Sequence, residues 1–128
     1  MVVGLGIDVA SVERVAQSLD RFGDRFWERI LTPAERDELS VRDGDRATAL
    51  AGRFAAKEAA AKALGAPPDV WWHDVAVRRG PRGEPILELS GAAAEHAARL
   101  GVGKCHVSIT HDAGVAAAVV LLERVSVP

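Results

Sequence analysis

Two lysines and a glutamate within one alanine-rich segment have types and spacing that suit phosphate and a metal ion. Lys57 and Lys62 lie in residues 53–63, RFAAKEAAAKA, and Glu58 precedes Lys62 by four residues. On a helix this spacing places Glu58 and Lys62 on one face. The chain has thirteen arginines but only three lysines, which favours a compact ammonium group here. The alternative is a surface helix with ordinary salt bridges, although the many alanines indicate close packing on most sides.

Asp8 is a second candidate, because it ends an apolar strand that begins with Gly4-Leu5-Gly6-Ile7. A carboxylate there and the glutamate of the helix could together bind Mg²⁺, which takes one or two protein carboxylates and completes its shell with water and phosphate oxygens. Asp8 could instead cap the next helix, but Ser11 already suits that position. The glycines predict close backbone approach within a sheet. They do not match a dinucleotide fingerprint, because Val9 occupies the position of its third glycine.

A third polar group lies in residues 105–112, CHVSITHD. Strand alternation places His106, Ser108, Thr110 and Asp112 on one face and His111 on the other. Hydroxyl groups and a histidine beside a turn suit phosphate contact. A strand with a polar outer face and a hairpin end is the alternative.

The first predicted helices carry Arg14, Arg21, Arg25 and Arg29, and neighbouring acidic residues make the stretch neutral overall. They form either an ordinary solvated face or a stripe, of Arg14, Arg21 and Arg25, that meets an acidic partner protein. Trp71 and Trp72 follow a Pro-Pro pair, and core packing is favoured for them over a platform beside a ligand.

The surrounding pattern predicts the elements that must position these groups. Strands are expected at 2–9, 73–79, 84–89, 104–111 and 114–123. Helices are expected after Ser11, at 24–31, from Pro33 to near Leu39, at 46–64 between Asp45 and Gly65, and from Ser90 to Leu100. This order indicates an α+β fold with a mostly antiparallel sheet. The strand at 114–122 has no polar face, so it is covered either by a helix and a second subunit or by a central place in its own sheet.

Composition limits the class of protein. With 128 residues, 48% of them hydrophobic, we expect a single domain over residues 1–128. A net charge of −2 gives no reason to expect nucleic-acid binding. The single cysteine, the absence of a leader pattern and the absence of a long apolar run favour a cytoplasmic protein that does not cross a membrane.

Three of these segments together resemble the holo-acyl-carrier-protein synthase family, the short single-domain class of 4'-phosphopantetheinyl transferases. The matching residues are Gly4-x-Gly6-Ile7-Asp8, the segment 53–63, and Ser108-Ile109-Thr110-His111. The resemblance implies a phosphopantetheinyl transferase-like fold whose sheets meet in a homotrimer, with active sites between subunits. It also implies transfer of phosphopantetheine from coenzyme A to a serine of apo acyl carrier protein, with Mg²⁺ (or Mn²⁺), in fatty acid or polyketide biosynthesis.

The resemblance also implies roles for individual residues. Asp8 and Glu58 would bind the metal, Arg14 and Arg21 would bind the carrier protein, and the proton acceptor stays open between Glu58, His111, Asp112 and a metal-bound water. The coenzyme A site would include Arg53, Lys57, Lys62, Gly65, Ser108, Thr110 and His111. Where relatives often have a glycine-rich loop after Gly65, this chain has Ala66-Pro67-Pro68, so we expect a stiffer loop.

Two other functions fit the same residues. One is a metal-dependent enzyme of the same fold that acts on another nucleotide or pyrophosphate substrate. The other is a non-catalytic module that binds acidic helices through Arg14 and Arg21.

Overall fold

The structure of the chain is a computed structural model that describes residues 1–40 and 45–125. Its elements are β1 (Val2–Ser11), α1 (Val12–Phe22), α2 (Asp24–Ile30), α3 (Pro33–Ser40), α4 (Arg46–Ala63), β2 (Val75–Arg79), β3 (Pro85–Leu89), α5 (Gly91–Arg99), β4 (Val102–Asp112) and β5 (Val115–Arg124). The predicted order is confirmed. The sequence did not indicate the 3₁₀ turn at Trp72–Asp74, so β2 begins later than expected. None of the described helices has the length and apolar character needed to span a membrane.

The strands form two antiparallel sheets. One has three strands in the order β1-β5-β4, and the other is the hairpin β2-β3. One face of β5 is buried and packs on α4, the longest helix; its residues are Ala116, Ala118, Val120 and Leu122. The expected α+β fold, with a mostly antiparallel sheet against a long helix, is therefore confirmed.

The ends of α4 agree with the expected capping residues. The Asp45 carboxylate accepts a hydrogen bond from the Ala47 N–H at 3.0 Å. At the other end the Gly65 N–H donates to the Lys62 carbonyl at 3.0 Å, and Gly65 adopts a left-handed φ of 91°. Ser90 precedes α5 as expected, but its side chain does not cap that helix.

Gly4 and Gly6 allow α4 to lie directly against β1. A Cβ atom at Gly6 would overlap the carbonyl oxygen of Ala59, and one at Gly4 would overlap that of Ala63. The sequence predicts a close approach within the sheet, whereas the structure shows it between the strand and the helix. The alanines of α4 complete this contact, since Ala59 and Ala63 are almost fully buried.

A buried ion pair joins α4 to α3 and β2. Thr32 and Glu35 form the expected capping box, with the Thr32 N–H donating to Glu35 Oε1 at 2.9 Å and the Glu35 N–H donating to Thr32 Oγ1 at 3.2 Å. The same carboxylate accepts the Lys57 ammonium at 2.7 Å and the Val77 N–H at 3.0 Å. The side chains of Lys57 and Glu35 are 1% and 0% exposed. The capping residue of one helix therefore also neutralises a charge in the interior.

The second face of the three-stranded sheet is apolar and open. Leu5, Ile7 and Val9 of β1 are 62%, 64% and 60% exposed, and Val119 of β5 is 37% exposed. Because β1 and β5 are paired in the order Leu5–Leu121, Ile7–Val119 and Val9–Ala117, these side chains form one continuous surface. A central place in its own sheet therefore does not bury the outer face of β5.

The helix–strand contact generates a stability prediction. Gly6→Ala is expected to lower the free energy of unfolding by about 2 kcal/mol or more, because the added methyl group meets backbone rather than a movable side chain. Urea denaturation of both proteins would measure the difference. Gly52→Ala is the comparison within α4: its new Cβ would lie 3.2 Å from a methyl group of Ile109 and would not overlap backbone, so its loss of stability should be smaller than that of Gly6→Ala. An unchanged urea midpoint for Gly6→Ala would contradict the assigned role.

Candidate active site

Asp8 and Lys62 meet where β1 crosses the second half of α4. Asp8 is paired with the buried Ala118 on the face of the sheet that packs on the helix. Lys62 Nζ donates to Asp8 Oδ1 at 2.9 Å and to the Ile7 carbonyl at 3.1 Å. The side chains of Lys62 and Asp8 are 51% and 17% exposed. An ion pair this accessible contributes little to stability, so Lys62 can exchange Asp8 for a ligand at small cost.

Glu58 lies one helical turn before Lys62 and shares its electrostatic environment. Burial raises the pKa of Glu58 above its ordinary value, the negative charge of Asp8 raises it further, and Lys62 opposes both effects. The two carboxylates thus repel each other in spite of the neighbouring ammonium group. This site would gain stability from an additional cation.

The donors at this site fit a hard divalent cation. Asp8 and Glu58 both offer carboxylate oxygens, which are the ligands that Mg²⁺ prefers. Within residues 1–40 and 45–125, no group of three or more His, Cys, Asp or Glu side chains could hold a metal ion. A cation bound here would therefore take two protein carboxylates and leave its other positions for water and phosphate oxygens.

Lys57 lines the cavity beside Glu58, but its ammonium group is buried in the core, which argues against the predicted contact with coenzyme A. Its ammonium group donates to Glu35 at 2.7 Å, to the Trp72 carbonyl at 3.0 Å and to the Val75 carbonyl at 2.6 Å. An ammonium group has three hydrogens, so all of them are used inside the protein. Desolvation by burial lowers its pKa, an effect that the charge of Glu35 opposes. The geometry assigns Lys57 to the core.

Arg53 and His111 lie together in a second, basic groove. The groove runs between α4 and β4, and Arg79 and Ile109 also line it. Arg79 is a cation that sequence reasoning missed. No local pattern marks it, because only the packing of the β2–β3 hairpin brings it beside Arg53.

The remaining polar residues of β4 face away from this groove. Ser108 and Thr110 are exposed, on the side of the strand opposite to the half-buried Ile109. Asp112 is the neighbour of His111 on the strand, so the two side chains point to opposite faces. Among the hydrogen bonds of the described residues none joins Asp112 to His111, so these two candidate proton acceptors do not act as a pair within one chain.

Asp8 and His111, around which the candidate residues group, lie on the two outer strands of the three-stranded sheet. Asp8 is on β1 and His111 is on β4, and β5 separates these strands. Neighbouring strands are about 4.8 Å apart, so β1 and β4 are separated by roughly twice that distance. One chain therefore brings Asp8, Glu58 and Lys62 together but does not add His111 to them.

A small cavity opens beside Glu58. Its other lining residues include Arg29, Ala61, Val70 and Trp71. Trp71 is 52% exposed, whereas Trp72 stacks on Phe54 with ring centroids 5.0 Å apart. Core packing is therefore observed for Trp72, whereas Trp71 is accessible at the cavity. The sequence did not predict that Arg29 lines this cavity, because its charge alone does not distinguish it from the other arginines of the first helices.

The expected carrier-binding arginines lie outside these cavities. Arg14 and Arg21 are exposed on α1 and seven residues apart, which places them on one face of the helix. The Arg21 guanidinium lies 5.1 Å from the centroid of the Phe22 ring. Both side chains are accessible to a partner protein.

Comparison with known proteins identifies the family of this chain. A family model described as 4'-phosphopantetheinyl transferase superfamily matches residues 4–120. A holo-[acyl-carrier-protein] synthase of Anaeromyxobacter sp. (strain K) is 51% identical over 126 residues, which cover 96% of this chain and 97% of the relative. The chain belongs to the holo-acyl-carrier-protein synthase family of this superfamily.

Solved structures of holo-acyl-carrier-protein synthases have the same fold. The Helicobacter pylori synthase in complex with coenzyme A is 33% identical, with a TM-score of 0.80, and the match covers 93% of this chain and 99% of that one. The Bacillus anthracis synthase in complex with CoA (3',5'-ADP) is 39% identical, with a TM-score of 0.80 and coverage of 98% and 99%. The phosphopantetheinyl transferase-like fold is therefore confirmed.

The raised pKa of Glu58 generates a prediction about the stability of the ligand-free protein. Glu58→Gln is expected to raise the free energy of unfolding at pH 8, because it removes a carboxylate that burial and Asp8 destabilise. Because the pKa of Glu58 is higher in the folded than in the unfolded state, its ionised form lowers the free energy of unfolding at high pH only. The gain should therefore disappear as pH falls below the ordinary Glu value of 4.5.

Urea midpoints at pH 8 and at pH 4 would measure this dependence. Glu95→Gln, which neutralises an exposed glutamate of α5, is the matched control and should change little at either pH. A loss of stability for Glu58→Gln at pH 8 would show that its carboxylate is favourably paired instead.

Proposed function

We propose that this protein transfers the 4'-phosphopantetheine group of coenzyme A to a serine of apo acyl carrier protein. The products are holo acyl carrier protein and adenosine 3',5'-bisphosphate. The observation that carries the proposal is the meeting of Asp8, Glu58 and Lys62 at the crossing of β1 and α4 in a chain of this family. The coenzyme A complexes of related synthases support the choice of donor.

The reaction attacks a pyrophosphate, so negative charge develops on phosphoryl oxygens and on the leaving phosphate. Asp8 and Glu58 would hold Mg²⁺ (or Mn²⁺), which neutralises this charge when bound. Lys62 would turn from Asp8 to the pyrophosphate, since a compact ammonium group binds phosphate as a point charge. Gly65, one turn after Lys62, would bring exposed backbone close to the same group.

The nucleotide half of coenzyme A fits the basic groove. Arg53 would contact its phosphate groups, and His111 lines the same groove. Ser108 and Thr110 lie on the outer face of β4, so they would contribute from a neighbouring subunit. Lys57 has no part in this contact, because its three hydrogens are donated within the core.

For the serine proton, Glu58 is the acceptor that the geometry of one chain favours. A carboxylate whose pKa is raised is a better base than an ordinary one. His111 lies across β5 from Asp8, so it could accept the proton only from another subunit. Asp112 is less suited to accept the proton, because it lies on the face of β4 opposite to His111.

We propose a homotrimer in which the open apolar faces of the sheets meet. Leu5, Ile7 and Val9 are each at least 60% exposed, and burying such a surface is worth roughly 25 cal/mol per Å². A neighbouring subunit on this face would cover the outer side of β5. It would also bring the Ser108–His111 segment of one chain near a metal site of another. We place the protein in the cytoplasm as a single domain that serves fatty acid or polyketide synthesis.

The transfer reaction has a direct assay. Incubation with coenzyme A, Mg²⁺ and several apo carrier proteins should give a phosphopantetheine adduct, detected by mass spectrometry of the carrier. Asp8→Ala and Glu58→Ala are expected to slow the reaction by about 100-fold or more, because each removes a metal ligand. Glu95→Ala, on an exposed face of α5, is the control. The proposal fails if no carrier is modified by the unaltered protein.

Binding of the carrier generates a separate prediction. Arg14→Ala is expected to raise the KM for the carrier by about three- to tenfold at low salt with little change in kcat, because it removes a charge contact outside the reacting centre. Steady-state kinetics at two ionic strengths would measure it. Arg14→Lys keeps the charge and should stay near the original KM. An unchanged KM for Arg14→Ala at low salt would remove Arg14 from the carrier surface.

A further inference from the structure

A hydrogen bond joins α5 to the loop that follows α4. His96 Nε2 lies 2.7 Å from Asp69 Oδ1. A carboxylate can only accept, so the ring N–H of His96 donates to it. One turn later on α5, the Arg99 guanidinium lies 3.5 Å from His96 Nδ1. The His96 side chain is 23% exposed and that of Asp69 is 60% exposed, so this link, here called the α5 pin, lies at the surface.

The loop held by the α5 pin, residues 65–71, borders the candidate active site at both ends. It begins three residues after Lys62, which is paired with Asp8. It ends at Val70 and Trp71, which line the cavity beside Glu58. The loop is therefore one wall of the space where the phosphate end of a ligand would lie.

The middle of this loop has few other restraints. Pro67 and Pro68 cannot donate backbone hydrogen bonds, and the bond from the Val70 N–H to the Pro67 carbonyl is long, at 3.5 Å. Ala66 adopts a left-handed φ of 54°, which is unfavourable for a residue with a Cβ. The Ala66 N–H donates to the Ala61 carbonyl at 2.7 Å, so the end of α4 holds this residue, and Asp69 is the next position along the loop that a side-chain contact holds. The hydrogen bond from His96 also lowers the pKa of Asp69.

We propose that His96 is a positioning residue for coenzyme A: through Asp69 it holds loop 65–71 in the conformation that binds the coenzyme. This inference rests on the function proposed above. Without the α5 pin the loop populates other conformations, and the apparent affinity falls by the fraction of molecules that are still competent to bind. The chemical step itself does not involve His96, so kcat should change little.

Steady-state kinetics of four variants tests the role. His96→Ala and Asp69→Ala should each raise the KM for coenzyme A by about three- to tenfold, with kcat and the KM for the carrier within about twofold of the original. The double variant should be no worse than either single one, because both remove the same contact. His96→Gln, which keeps an N–H donor near the position of Nε2, should restore most of the affinity. Glu95→Gln is the control on the same helix.

Hydrogen exchange of the same proteins without coenzyme A tests the α5 pin separately. Amides of loop 65–71 should exchange faster in His96→Ala and Asp69→Ala, while those within α4 keep their protection. Unchanged loop exchange, or additive effects in the double variant, would overturn the α5 pin. Faster exchange with an unchanged KM for coenzyme A would overturn the positioning role. If the unaltered protein modifies no carrier, the proposed function and the coenzyme role fall together, and loop exchange still decides whether the α5 pin exists.

Discussion

Helix α4 lies against β1 because Gly4 and Gly6 have no side chains. Any Cβ at these two positions would overlap a carbonyl oxygen of the helix. Only at this short separation can Lys62 reach Asp8 at 2.9 Å and can Asp8 raise the pKa of Glu58. The charge interactions of the candidate site therefore depend on the two glycines of β1, the strand that also carries Asp8.

The opposite side of α4 is fixed by the buried Lys57–Glu35 pair. Burying two charges is costly unless every donor is satisfied, and here the ammonium group reaches one carboxylate and two carbonyls. The pair joins α4 to α3 and to the segment that ends in β2. Consecutive residues of one helix thus have different tasks, since Lys57 holds the core together and Glu58 faces the site.

The sheet order keeps His111 apart from Asp8 within one chain. β5 lies between the strand of Asp8 and the strand of His111, and its outer face is apolar and accessible. An assembly that covers this face would serve stability and chemistry together. The same surface that needs a neighbour carries Ser108 and Thr110 at its edge. Subunit association and coenzyme binding would then be coupled in this protein.

The sequence by itself determined the order of the elements, the caps of α3 and α4, and the residues Asp8, Glu58 and Lys62, because these follow from local spacing and from motifs that occupy a few neighbouring residues. Tertiary structure decided the rest. Lys57 fits a ligand contact equally well by its type, and only burial beside Glu35 makes it a core residue. Arg79 lies beside Arg53, 26 residues earlier in the chain, and His96 contacts Asp69, 27 residues earlier. No sequence periodicity encodes contacts over such separations. Local patterns report which groups are available, whereas the packing of distant segments decides which groups meet.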